Sequence, residues 1–296
     1  NFYSSAFAEA GEYKVEIKAT ADGTAGIFDS KYATPVTVKR LAAPTVTNSN
    51  VTSTANKLAD GFTVSFDRVD GATGYKLYRD GTAEQTTITT QFKVSRPVAD
   101  DVVRETDIAY YIQSTGSVSA DGKRVLLNST GDAASAASAF NVKVLAAPSA
   151  PTIDGYIYTF TGTDKAVGYN VSIGGSNFDS STARYDLSAL SAGTFEVKTC
   201  AKGNGGTVLA SNYTTAITVT RLNAPYGLRI STDESDGVLD FKGDDRAQSY
   251  QAIITGRAEP LAVDTTTNVK EYITTTATIV YMHSVANYFA DAQRTT

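Results

Sequence analysis

The sequence predicts an all-β chain assembled from repeated, sandwich-sized units. Three observations predict it. A strand-like phrase ending at a proline occurs three times, as VTVKRLAAPTV (36–46), FNVKVLAAPSA (140–150) and TVTRLNAPYGL (218–228). An aromatic pair nine residues apart also occurs three times, in FDRVDGATGY (66–75), FTGTDKAVGY (160–169) and FKGDDRAQSY (241–250). A hairpin pattern with a Gly-rich centre recurs as AGEYKVEIKATADGTAGIFDSKY (10–32) and AGTFEVKTCAKGNGGTVLASNY (192–213).

In the first phrase the apolar residues alternate, as they do from Phe140 to Val144 and from Ile217 to Arg221, so one face of each strand can be buried. A leucine follows each strand (Leu41, Leu145, Leu222), and a proline comes three residues later (Pro44, Pro148, Pro225). Proline lacks the N–H a central strand needs, so the phrase reads as the last strand of one unit running into the first of the next. The prolines are 104 and 77 residues apart, lengths suited to β-sandwiches and too long for solenoid repeats.

Around the aromatic pair both flanks alternate. Phe62-Val64-Phe66 leads into the first turn and Tyr75-Leu77 leaves it; Tyr156-Tyr158-Phe160 and Tyr169-Val171-Ile173 repeat the scheme, as does Tyr250-Ala252-Ile254. An alanine stands three before each tyrosine (Ala72, Ala166, Ala247). Period two predicts buried sets: Phe66, Tyr75 and Leu77; Phe160, Tyr169, Val171 and Ile173; Phe241, Tyr250 and Ile254. In the hairpins, Tyr13-Val15-Ile17 and Phe195-Val197-Thr199 read as strands, and Ile108-Tyr110-Ile112 opens a longer version. The Ala-rich segment 131–140 has helical propensity, but its place in the repeat predicts loop and strand entry.

In this order the motifs resemble tandem fibronectin type III domains, closest to the divergent type in large bacterial cell-surface proteins. The family's usual core tryptophan is absent; Phe66, Phe160 and Phe241 stand in its place and fill much the same space. The resemblance implies the last strands of one domain in 1–40, complete domains in 41–145 and 146–222, and a domain lacking its last strand in 223–296. Short linkers with an apolar anchor predict an extended rod. By alignment 1–40 holds three closing strands, whereas the chain reaches Thr296 without the closing strand of its last unit. The expectation is a window from a longer array, favoured over completion by strand addition in trans, because residues 1–40 would bring three strands where one is needed.

Composition narrows the function. With 42% hydrophobic and 19% charged residues, the 296-residue chain can build packed cores for two to four domains. A net charge of −5 and no basic stripe argue against nucleic acid. No apolar run is long enough for a membrane span. Cys200 is the single cysteine, so no intrachain disulfide forms.

Candidate chemistry is sparse. His283 is the single histidine, and its neighbour Ser284 points to the opposite face of a predicted strand, so the two form no dyad. Cys200 reads as a passive strand residue. Asp233, Glu234 and Asp236 in one turn, and Asp244 and Asp245 in another, could supply calcium oxygens if the loops converged, but Asp is also an ordinary turn residue. Lys242-Gly243-Asp244 matches an integrin-type tripeptide, and Asn50, Asn128, Asn170 and Asn212 fit the glycosylation pattern; both signals are weak. Tyr78, Tyr111, Tyr213 and Tyr288 are surface candidates, scattered rather than grouped into a sugar-binding platform. No catalytic, cofactor-binding or metal residue is assigned, and no cofactor is expected.

The expected function is therefore non-catalytic: a segment of an extracellular, bacterial surface or filament protein acting as spacer, display stalk or adhesive rod. Its partners are neighbouring repeats or subunits. The alternatives are a ligand-binding accessory module, directed at a glycan or host protein or attached to a carbohydrate-active enzyme, and a phage tail or fibre repeat.

Overall fold

The computed structural model describes residues 4–95, 107–122, 124–130, 138–231, 237–272 and 280–285. In the first segment β1 (Gly11–Val15) pairs antiparallel with β2 (Val36–Arg40). The second repeat holds β3 (Val51–Ser53), β4 (Phe62–Ser65), β5 (Gly74–Arg79), β6 (Thr82–Thr87), β7 (Gln91–Val94), β8 (Asp107–Thr115), β9 (Arg124–Leu127) and β10 (Phe140–Val144). The third holds β11 (Ser149–Asp154), β12 (Ile157–Thr161), β13 (Tyr169–Ile173), β14 (Ser176–Ser180), β15 (Arg184–Asp186), β16 (Gly193–Ala201), β17 (Val208–Leu209) and β18 (Ile217–Arg221). The fourth holds β19 (Tyr226–Ile230), β20 (Leu239–Lys242), β21 (Ser249–Ile254), β22 (Leu261–Val263) and β23 (Val280–Val285). Among the described residues the helical pieces are single 3-10 turns, such as Asn48–Asn50. Of the Ala-rich segment, 131–137 lies outside the described residues, and Phe140 opens β10.

The all-β class stands among the described residues, with strands arranged in facing sheets. In the second repeat the sheet β3-β4-β7 faces the sheet β17-β10-β8-β5-β6 across one core. Phe62, Val64, Phe92 and Val94 come from one side; Tyr75, Leu77, Ile108, Tyr110, Ile112, Phe140, Val142 and Val144 come from the other. The fourth repeat packs β19-β20 against β22-β21-β23 around Leu239, Phe241, Ala252, Ile254, Val263 and Val269. The third repeat contributes the sheets β11-β12-β15 and β14-β13-β16-β18, with β18 at an edge among the described residues.

The compact units do not follow the sequence repeats. One comprises residues 1–148, 162–170 and 200–213; the other comprises 149–161, 171–199 and 214–296. Residues 200–213 belong to the third repeat by sequence, yet they pack with the second.

Period two places the cores well. Phe66, Tyr75, Leu77, Phe160, Tyr169, Val171, Ile173, Phe241 and Ile254 are buried, while Tyr250 is half-buried against its core. Strand assignments need correction in three places. The described part of 1–40 holds two strands rather than three, because Ser4–Phe7 forms a 3-10 turn. The first strand ends at Val15, so Ile17 is exposed. Tyr156 precedes β12 and is exposed, with the Arg221 guanidinium 5.2 Å from its ring centroid.

The aromatic signature has a local cause. The backbone N–H groups of Val69 and Thr163 donate to the hydroxyls of Tyr75 and Tyr169 at 2.9 and 3.1 Å. In the fourth repeat the sense reverses, and the Tyr250 hydroxyl donates to the Asp244 carbonyl at 2.9 Å. The alanine N–H closes each turn: Ala72 donates to Val69, Ala166 to Thr163 and Ala247 to Asp244. The phenylalanine meets the tyrosine edge-on, at 4.8 Å for Phe66–Tyr75 and 4.9 Å for Phe241–Tyr250. That geometry suits the ring quadrupoles and explains the fixed spacing.

Candidate functional site: the repeat junction

Each repeated phrase ends on a leucine whose surroundings define the junction. β2 pairs in parallel with β9, matching Lys39 to Leu126 and Arg40 to Leu127. The Leu41 N–H then donates to the Leu127 carbonyl at 3.1 Å. One repeat later β10 pairs in parallel with β17, matching Lys143 to Val208 and Val144 to Leu209. The Leu145 N–H donates to the Leu209 carbonyl at 3.2 Å. Thus at these two junctions the hairpin of the following repeat adds a strand to the last strand of the repeat before it. Added strands protect edges that would otherwise template pairing with other chains.

The third-repeat hairpin is also pinned from the other side. Gly203 donates to Ala55 at 2.7 Å and Ser53 to Gly205 at 2.8 Å, while the Ser53 hydroxyl donates to the Gly206 carbonyl at 2.9 Å. Its Leu209 is 1% exposed and belongs to the core that contains Phe62 and Val142. Burying a leucine side chain to this degree contributes about 1.5–3 kcal/mol. The second repeat's core is therefore completed by a residue of the third.

Two local devices shape these hairpins. A serine latches the returning strand: the Ser129 hydroxyl accepts the Ser114 N–H at 2.9 Å, and the Ser211 hydroxyl accepts the Ala201 N–H at 2.8 Å. The same latch occurs in the first segment, where the Ser30 hydroxyl accepts the Ala19 N–H at 2.9 Å. Glycine permits close approach at the turn. A Cβ at Gly116 would lie 1.9 Å from the Leu126 carbonyl oxygen, and one at Gly203 would lie 2.2 Å from that of Val208. Both signals stand in the sequence, as Ser30, Ser129 and Ser211 and as Gly116 and Gly203, but no local periodicity marks them.

The third junction is held differently. Asn223 follows Leu222, and its backbone and side-chain N–H groups donate to one Asp244 carboxylate oxygen at 2.8 and 2.9 Å. Arg246 donates to both carboxylate oxygens, through Nε at 2.9 Å and Nη2 at 2.8 Å. The Ser284 hydroxyl donates to the Asn223 carbonyl at 2.9 Å. The Arg246 guanidinium and the surrounding N–H donors hold the Asp244 carboxyl well below the usual carboxylate range.

This geometry decides several candidate residues. Asp244 is buried and fully engaged, so Lys242-Gly243-Asp244 is not a displayed tripeptide. Asp233, Glu234 and Asp236 lie outside the described residues, and Asp245 is exposed. Among the described residues no group of three or more His, Cys, Asp or Glu side chains could hold a metal ion. His283 and Ser284 are consecutive in β23. Cys200 is buried, its Sγ 3.7 Å from the Asn56 carbonyl oxygen.

Asn170 is 2% exposed and accepts the Tyr213 hydroxyl at 2.6 Å, so its glycosylation pattern is inaccessible in the folded chain. Asn50 and Asn128 each accept a backbone N–H, from Thr47 at 2.7 Å and Gly116 at 2.8 Å, and Asn212 is half-buried. Of the surface tyrosines, Tyr111 is instead buried, because its ring stacks on half-buried Tyr78 at 4.6 Å. Tyr213 is half-buried, and Tyr288 lies outside the described residues.

No family model matches the chain, and neither does any curated protein. Among solved structures, the central Fibronectin-III array of RIM-binding protein is similar at 11% identity with a TM-score of 0.23, covering 71% of this chain and 83% of that one. The FN1-FN3 domains of chicken CNTN1 are similar at 11% identity with a TM-score of 0.20, covering 83% of this chain and 89% of that one. Among the described residues no helix is long and apolar enough to cross a membrane.

Proposed function

We propose that the chain is a non-catalytic structural segment of a repeat-containing extracellular protein, spacing or displaying other parts of it. The observation that carries this reading is the recurring strand addition at Leu41 and Leu145, which joins consecutive repeats by backbone hydrogen bonds. A freely tethered module has no use for such a joint. A segment that must hold its neighbours in register does. Its partners are other repeats, and no cofactor enters the reading. The polar groups that a binding site would aim at a ligand, such as Asp244 and Ser284, are spent on the third junction.

A glycan and protein array probed with the intact chain tests this. The structural reading expects no saturable binding. Saturable capture of one defined glycan or protein, abolished by a surface substitution, would replace it with the accessory binding module.

A further inference from the structure

Asn204-Gly205 is the single Asn-Gly pair in the chain, and it lies at the tip of the hairpin between β16 and β17. In such a pair the side-chain amide is open to attack by the next backbone nitrogen, because glycine has no Cβ to shield that nitrogen. The surroundings of Gly205 are open: a Cβ there would still lie 3.8 Å from the Ser53 carbonyl oxygen. Asn204 is exposed, so water reaches its amide.

The fold adds two features to this pair. First, Asn204 Oδ1 accepts the backbone N–H groups of Gly206 at 2.9 Å and Val208 at 3.0 Å. Attack on Cγ builds negative charge on that oxygen, and two fixed donors stabilise it as an oxyanion hole does. Second, the pair sits in the clamp on β3. The Gly205 carbonyl accepts the Ser53 N–H at 2.8 Å, and the Gly206 carbonyl accepts the Ser53 hydroxyl at 2.9 Å. The same hairpin carries Leu209 into the core.

We propose that Asn204 is a site of spontaneous succinimide formation, and that its isoaspartyl product releases the hairpin tip from Ser53. The Gly205 nitrogen loses its proton and bonds to Asn204 Cγ. The Cγ–Nδ2 bond breaks, and ammonia leaves with that proton. Water then opens the ring. Opening at Cγ gives an aspartyl residue, and opening at the former main-chain carbonyl gives an isoaspartyl residue. Each product adds one negative charge. Only the isoaspartyl product routes the main chain through Cβ and Cγ, which lengthens it by one carbon just before Gly205. The Gly205 and Gly206 carbonyls are then displaced from Ser53. This proposal does not depend on the spacer reading, since the chemistry needs no ligand and no partner.

The experiment ages the intact chain at physiological temperature and mildly alkaline pH. Peptide mass mapping is expected to show amide-to-acid conversion at position 204 before any other asparagine. The rate is expected to rise with pH, because the attacking nitrogen must lose its proton. An isoaspartyl methyltransferase is expected to label the same peptide. In the aged chain the Ser53 amide is expected to exchange at least tenfold faster. Asn204→Asp carries the charge without the extra carbon, and is expected to keep the Ser53 amide protected. Conversion at Asn204 no faster than at exposed Asn48 or Asn177, which Ser49 and Phe178 follow, would overturn the site. A labelled chain whose Ser53 amide stays protected, or an Asn204→Asp chain that loses that protection, would overturn the release.

Discussion

The backbone N–H of Leu145 donates to the carbonyl of Leu209 at 3.2 Å, across 64 residues and from one sequence repeat to the next. Leu41 and Leu127 repeat the relationship at 3.1 Å. A leucine at the end of a strand would ordinarily mark a boundary. Here it marks a joint, and the joint has measurable properties.

Leu209→Ala is expected to destabilise the second repeat more than the third. The side chain leaves a cavity in the core shared with Phe62 and Val142, at a cost of about 2–5 kcal/mol. Hydrogen exchange resolved by peptide checks it: protection is lost in 62–65 and 140–144 first. Loss confined to 193–201 would refute the shared core.

Gly203→Val is expected to lift the hairpin from β10, since even a Cβ there meets the Val208 carbonyl oxygen at 2.2 Å. Strain of this kind costs roughly 1–3 kcal/mol. The readout is faster exchange of the Lys143 and Leu145 amides, which donate to Thr207 and Leu209. Gly11→Val, with open space around its Cβ, is the control.

The joint at Gly203 is not written in local periodicity. Alternation located Phe66, Tyr75, Val171 and Ile254 because period two is written in consecutive residues. The parallel joints match four residue pairs for β2–β9 and two for β10–β17, between segments far apart in the chain. So short a match leaves no periodicity to read. Tyr111 differs from its pattern for a related reason: alternation assigns it to the outer face of β8, where the ring of Tyr78 stacks on it. The Asp244 turn was visible as a motif, but its partner Asn223 belongs to the linker, and chemistry between two motifs is not written in either.

Asp244→Asn is expected to lower the melting temperature of the fourth repeat at neutral pH, because Arg246 loses its ionic partner. The folded-state pKa is depressed below the ordinary 3.8. The stabilisation is therefore complete above that value and is lost as pH falls through the folded pKa. Calorimetry of both proteins at neutral and acidic pH checks the sign. The gap between them narrows in acid; a gap that widened would refute the assignment.

Tyr213 carries the opposite dependence. Burial, then the neighbouring Cys200, pushes its phenol up to about 12 from an ordinary 10.0. Its contribution is intact below pH 10.0 and is lost as pH rises toward about 12. Ultraviolet titration of phenolate is expected to show one fewer late-ionising group in Tyr213→Phe. An unchanged late class would show that Tyr213 ionises as a free phenol.

The completion of one core by Leu209 also sets an order on biosynthesis. A polypeptide leaves the ribosome from its N-terminus, and domains generally fold as they emerge. When Val144, the end of the second repeat's own last strand, clears the exit tunnel, the core still lacks Leu209, which follows 65 residues later in the chain. At any moment a nascent array of this kind carries one repeat with an open flank, and translation of the next repeat seals it.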